Sequence, residues 1–366
     1  MGVAIGAQKA CLQVQQVLDD IAGNNVPTLK FDNFGALQWI TSTTNTSGFE
    51  GLQNQDPGGK NRTVKIWYWT NPRTAAGTDC TPDICTPGTT TAQKNAEMTL
   101  QYCRNVELTL DEQQFRDFCG PDGATIVESP FAQKQIQGVI NQLLSGIDTD
   151  AVTYMNAHAG NFYGGIAPGK DVLMMKSDGG VYYGGETEIS NDLEDAGYTG
   201  QIGGAIGLGI LRDYSKAAKL ACCDSSGIDF SKSTGSFGYF SDRRVDTVVG
   251  TNSNFFVLAP GAMQLVSKVK WVGPYRDMRS QSEAKTTVMV PVPGGGSIPV
   301  DFTVYRNFCG TDNDGLTKWK LTWSVNFDFF SLPADVEAVG SPWRSVNGIF
   351  HYRGICGTPS CADVNT

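Results

Sequence analysis

The chain has 366 residues, 40% hydrophobic and only 18% charged, with a formal net charge of -9. That length allows two domains, or one large domain with extended arms, around a substantial core. The acidic balance excludes gripping phosphate backbones through a broad basic face, and a charged fraction below the usual roughly 25% fits a protein packed against copies of itself, a composition that secreted β-proteins share.

In the opening segment MGVAIGAQKACLQVQQVLDD, Lys9 interrupts the apolar run and no small-residue cleavage site follows, so no secretory signal is read there. Gly6 stands where an N-myristoylation motif needs Ser or Thr. No window approaches the ~18 apolar residues of a membrane span, and the chain is expected to be soluble. Residues 8–22 carry Ala10, Val14, Val17, Leu18 and Ile21 at helical spacing and stop at Gly23-Asn24-Asn25, predicting a short amphipathic helix. From Phe31 to Gly59 the apolar residues Phe34, Leu37, Trp39, Ile40 and Phe49 follow no period among Asn, Thr, Gln and Gly, which predicts an extended arm that must dock on something else.

Arg62–Thr70 (RTVKIWYWT) and Ala96–Leu110 (AEMTLQYCRNVELTL) are strands by their β-branched and aromatic content and their alternation. The Pro-, Gly- and Thr-rich stretch between them is too long for a tight turn, so the pair reads as a long protruding hairpin. A lone hairpin is marginal in water and calls for a neighbour. The run Trp67-Tyr68-Trp69 could stack on sugars or bases, but in such a strand it reads as an interface core, with Trp39 and Phe49 of the arm as further intersubunit contacts.

Ser129-Pro130 supplies a cap and a first-turn proline for a helix whose face is Phe131, Ile136, Val139, Ile140, Leu143, Leu144 and Ile147, and a second helical stretch runs from Thr149 to Ala159. Beyond Gly160 come a strand at Val172–Met175, an acidic turn region ETEISNDLEDAGYTG, and a helical piece near Ile210–Leu220. The order strand, strand, helix is then read over RVDTVVG, NFFVL and APGAMQLVSKVKW, closing a mixed α/β lobe. After Pro274, TTVMVPVP, SIPVDFTVYRNFC and LTKWKLTWSVNFDFF predict three strands of one antiparallel sheet, joined by Gly294-Gly295-Gly296 and a TDNDG turn. No repeat of 20 to 50 residues is present, which argues against solenoids and propellers.

Chemistry-bearing motifs are weak throughout. The ten cysteines include two similar loops, Cys80-Thr-Pro-Asp-Ile-Cys85 and Cys356-Gly-Thr-Pro-Ser-Cys361, which fit disulfides closing surface loops or free thiols better than zinc ligands, since the only histidines are His158 and His351. Neither histidine accompanies a GxSxG nucleophile motif, and both read as structural. QIGGAIGLG lacks the surrounding βαβ unit of a dinucleotide loop, and Asp312-Asn-Asp314-Gly lacks the glutamate of a calcium loop. The carboxylates Glu186, Glu188, Asp192, Glu194 and Asp195 read as solvated turn acids rather than paired acid/base groups, and the sequons at Asn45 and Asn61 mean little without a secretory signal. No catalytic residue, cofactor or metal is expected.

The sequence of arm, long hairpin, long amphipathic helix, glycine-rich mixed lobe and returning antiparallel strands resembles the tailed-phage major capsid proteins of the Hong Kong 97-type fold. The residues nearest that family's habit are AGYTGQIGGAIGLGILRDY at 196–214, VDTVVGTNSNFFVLAPGAMQLV at 245–266, VDFTVYRNFC, and KWKLTWSVNFDFFSLP. The resemblance implies an α+β chain with an N-terminal arm at 1–59, an extended hairpin loop at 60–110, a peripheral domain with a spine helix at 111–164 and 273–366, and an axial domain at 165–272. It implies copies of the chain forming hexamers and pentamers of an icosahedral shell around double-stranded DNA, in a virion assembled in the host cytoplasm, with room for scaffold, portal and decoration proteins. The Lys and Asn of the covalent crosslink known in that family's type member have no counterpart that can be placed here; Lys60 and Lys65 read as surface lysines, and Cys80 with Cys85 could act as a clasp instead. A secreted or cell-surface β-rich adhesin is the rival reading, and a hydrolase with an unrecognised site a third.

Overall fold

The computed structural model describes residues 4–23, 30–42, 63–69, 93–119, 130–162, 165–176, 184–198, 202–207, 237–251, 253–269, 283–293, 296–306, 318–331 and 347–357. In chain order the elements are α1 (Ala4–Ala22), α2 (Gly35–Ile40), β1 (Thr63–Trp69), β2 (Gln93–Thr99), β3 (Tyr102–Asp111), α3 (Glu112–Cys119), α4 (Pro130–His158), β4 (Lys170–Lys176), α5 (Gly184–Asp195) and β5 (Ile202–Gly207). They continue with β6 (Phe237–Asp242), α6 (Arg243–Val249), β7 (Asn254–Leu258), β8 (Met263–Lys268), β9 (Glu283–Pro291), β10 (Ser297–Arg306), β11 (Lys318–Ser331) and β12 (Ile349–Gly357).

Strict alternation builds the first five-stranded sheet. Ile298, Val300, Phe302 and Val304 of β10 and Trp319, Leu321, Trp323, Val325 and Phe327 of β11 are all fully or almost fully buried, as period 2 requires of one covered face. β11 is long enough to pair antiparallel with β3 through residues 318–327, and with β10 and then β8 along its length. β9 closes the far side as a hairpin partner of β10. Helix α1 lies against β9 and β10. There Gln15 uses its side-chain amide as a strand residue would: Nε2 donates to Met289 O at 3.0 Å and Oε1 accepts from Met289 N at 2.7 Å. An open edge invites pairing with another chain, and this clamp occupies it. Replacing Gln15 with alanine is expected to lower stability by about 1 kcal/mol, measured as a shifted urea midpoint at constant slope.

The second sheet is mixed, in the order β4-β12-β7-β5-β6. β12 runs parallel to β4 and antiparallel to β7, and β5 runs antiparallel to β7 and parallel to β6. All five residues of β7 are buried, as for a central strand covered on both faces. Helix α2 covers β5 and β6, α6 covers β5 and β7, and α5 covers β4. Helix α4, 29 residues, spans between the sheets and buries Ile136, Val139, Ile140, Leu143, Leu144, Ile147, Val152 and Met155.

Several expected elements take other forms. The two helical stretches at 129–147 and 149–159 are one helix, and its Phe131, expected on the buried face, is 42% exposed. The described part of the expected arm contains α2, all six residues buried, and the acidic turn region contains α5, seated by buried Ile189 and Leu193. The order read at 244–271 is reversed: 243–249 is helix and 263–268 is strand. β8 falls in the first sheet and β12 in the second, so each crosses the domain boundary drawn from sequence. The helical piece near 210–220, the Gly294-Gly295 tip and the TDNDG turn lie outside the described residues. Among the described residues no helix is long and apolar enough to cross a membrane.

Candidate assembly surface

β1 and β2 form a ribbon apart from both sheets, in register from Thr63 opposite Thr99 to Trp69 opposite Gln93. Among the described residues neither strand pairs with any other. The root of the ribbon has its own small apolar cluster, separate from the main core. Val64, Ile66 and Leu100 meet Val266 of β8, with Met98 and Phe330 of β11 packed against them. The ribbon is thereby seated on one end of the first sheet.

The sequence read 96–110 as one strand, but the structure cuts it at Leu100-Gln101. Residues before the cut leave with β1, and those after it pair with β11. A buried carboxylate holds the break: Asp328 accepts from Gln101 N at 3.2 Å and from Phe329 N at 2.8 Å. Just past the break Tyr102 stacks on Phe327, with ring centroids 5.5 Å apart. Burial, and then the charge of Asp328, raise its phenol above the ordinary value, so Tyr102 stays neutral. Behind it the Tyr154 hydroxyl lies 3.1 Å from Ser331 Oγ.

Of the residues expected at intersubunit contacts, Trp67, Tyr68 and Trp69 fall on the ribbon, opposite Asn95, Lys94 and Gln93. Phe49 lies outside the described residues. Trp39 is on α2, 3% exposed, and its ring lies within this chain against Phe240 and over Gly203. A Cβ on Gly203 would sit 2.2 Å from the Trp39 ring, and one on Gly204 would sit 2.0 Å from Phe256 O. The glycines of QIGGAIG thus serve close packing on strand β5. Cys80, Cys85 and Cys361 lie outside the described residues, and Cys356 is exposed on β12.

The histidines are engaged structurally. His351 is buried against Phe256 with Nε2 3.2 Å from Asn254 Oδ1, and burial lowers its pKa, keeping the ring neutral. His158 stacks on Tyr154 and its Nδ1 lies 2.9 Å from Tyr154 O. Among the described residues no three His, Cys, Asp or Glu side chains gather to hold a metal ion. The acids of α5 divide, since Lys170 takes both Glu188, at 2.8 Å, and Asp192, at 2.9 Å. Sequence reasoning missed the exposed apolar residues Ile166, Met289 and Ile355, at 48%, 42% and 39%. Met289 alternates with buried Val288 and Val290, so the period of β9 already points it outward, whereas Ile166 lies outside any helix or strand and has no local period to read.

No protein-family model and no curated protein matches this sequence. Solved structures do align with it. The capsid asymmetric unit of cyanophage A-1(L) covers 86% of this chain and 93% of its own, at 12% identity and a TM-score of 0.45. The capsid of Ralstonia phage GP4 covers 87% and 93%, at 9% identity and a TM-score of 0.44. A virus-like particle from Pyrococcus furiosus covers 93% and 98%, at 10% identity and a TM-score of 0.42. These three are two phage capsids and a virus-like particle.

Proposed function

We propose that this chain is the major capsid protein of a bacteriophage, a subunit that self-assembles into hexamers and pentamers of an icosahedral shell enclosing double-stranded DNA. The observation that carries the reading is the ribbon β1–β2, seated on its own chain at the root cluster and, among the described residues, paired with no other strand. Two strands alone are marginal in water, and a neighbouring copy laid along them would cover both their edges and their apolar residues. Heterologous contacts of this kind close into rings when the rotation between copies closes. In this reading the protein holds and contains and does no chemistry. Its principal partners are further copies of itself, with scaffold, portal and decoration proteins as additional ones, and DNA is enclosed without sequence readout. Assembly takes place in the host cytoplasm, and the protein ends in the virion.

Negative-stain electron microscopy and light scattering on the purified chain, alone and coexpressed with the products of neighbouring genes, test this. Closed particles or rings of five or six are expected; a monomer under both conditions sinks the reading. Ile66→Asp places a charge in the root cluster, which is separate from the main core. It is expected to leave the far-ultraviolet spectrum unchanged while abolishing particles.

A further inference from the structure

Asp148 of α4, Asp242 at the end of β6 and Arg244 of α6 meet where α2 packs, with side chains 0%, 0% and 7% exposed. Two carboxyls therefore face one guanidinium in a site closed to bulk solvent, where unbalanced charge is costly. Asp242 is fully engaged: Oδ2 accepts from Ala36 N at 3.1 Å and Oδ1 accepts from Arg244 N at 2.9 Å. Asp148 Oδ1 accepts from Leu37 N at 3.0 Å. Its Oδ2 lies 3.2 Å from Arg244 Nη1 yet has no hydrogen-bond partner as a carboxylate oxygen. The guanidinium instead donates to neutral acceptors, Asn33 O at 3.3 Å and Ser145 Oγ at 2.9 Å, and lies over the Phe34 ring. A proton on Oδ2 turns that orphaned acceptor into a donor, with the carboxylate of Asp242 beside it.

We propose that Asp148 and Asp242 hold one proton between them, and that this proton seats residues 33–37 on α4 and α6 and is lost as pH rises, loosening the seat. Burial, followed by the charge of Asp242, pushes the Asp148 carboxyl well above the usual carboxylate range, against the opposing pull of Arg244. The other charged groups nearby are committed elsewhere. Asp32 and Arg243 sit 3.9 Å apart at the rim, about half exposed or more; Asp246 of α6 accepts from Asn254 N; and Asp150 pairs with Arg104 of β3. Helix α2 contributes backbone N–H groups and no titratable side chain. The folded state then binds one proton more than the unfolded state between the unfolded and folded values of Asp148. Stability is full below that window, falls up to about tenfold in folding equilibrium per pH unit through it, and levels off above it.

The experiment is urea unfolding of the full chain from pH 5 to pH 9, in the wild type and in Asp148→Asn, whose amide can donate where the protonated acid does. The expected result is a wild-type midpoint that falls with pH and an Asp148→Asn midpoint that does not, the two lying closest at low pH. An unchanged pH slope in Asp148→Asn, or a flat wild type, overturns the proposal. Should the variant fail to fold, infrared difference spectra of the wild type decide: a protonated buried carboxyl band present at neutral pH and lost in alkali supports the shared proton, and its absence overturns it. The infrared readout does not depend on whether the chain assembles.

Discussion

Replacing Arg244 with leucine is expected to lower folding stability by about 3–5 kcal/mol, because it takes away the cation that two buried carboxyls face. The loss has three parts, each visible in the geometry. The ion contacts to Asp148 and Asp242 go, at 3.2 and 3.6 Å. The bonds to Asn33 O and Ser145 Oγ go, and so does the cover over Phe34. The measurement is the urea midpoint at constant slope, followed by the double variant Arg244→Leu with Asp242→Asn, which removes the remaining carboxylate charge and keeps an oxygen to cap α6. Recovery of part of the loss in the double variant would identify the stranded charge, and not the missing packing, as the main cost. A double variant no better than the single one would assign the cost to packing.

The second large effect is expected at Trp319, which is fully buried at the start of β11. Its indole stacks on Phe115 of α3 with centroids 3.8 Å apart and planes at 6°, and Nε1 donates to Glu112 Oε2 at 2.9 Å. Arg306, across the β10–β11 pair, lies over the same ring. One side chain thus fastens the short helix α3 to the sheet. Trp319→Ala is expected to cost about 3–5 kcal/mol from lost contacts and the cavity left behind. Trp319→Phe keeps most of the stack and loses the indole N–H, costing about 1 kcal/mol. Equal losses in the two variants would show that the hydrogen bond, not the stack, holds α3.

How much of this was legible in sequence depends on whether the signal is local. β9, β10 and β11 declare themselves by strict alternation, and α4 by its apolar face and Pro130. RVDTVVG, with three valines, reads as a strand, although the boundaries of helix α6 are written in the sequence: Asp242 caps it by accepting from Arg244 N, and Gly250 ends it in the left-handed region. Met263, Gln264 and Leu265 of β8 favour a helix by local propensity, and pairing with β11 overrides that preference. The break at Leu100-Gln101 has no local mark, since its cause is Asp328, more than two hundred residues away. The Asp148–Asp242–Arg244 cluster was invisible for the same reason. The ribbon proposed as the assembly surface was legible as a hairpin, but its seat on β8 and β11 was not.

The position of β12 sets a schedule for making this protein. The second sheet places residues 349–357 between β4 and β7, so both strands wait with an unpaired side until that segment emerges. β7 ends at Leu258, roughly ninety residues earlier, a gap of on the order of 5–20 s at ordinary rates of translation. Over that interval a central strand that is apolar from Phe255 to Leu258 is an open template on the ribosome. A nascent chain stalled in that stretch would present the edge most apt to pair with another copy in the wrong way.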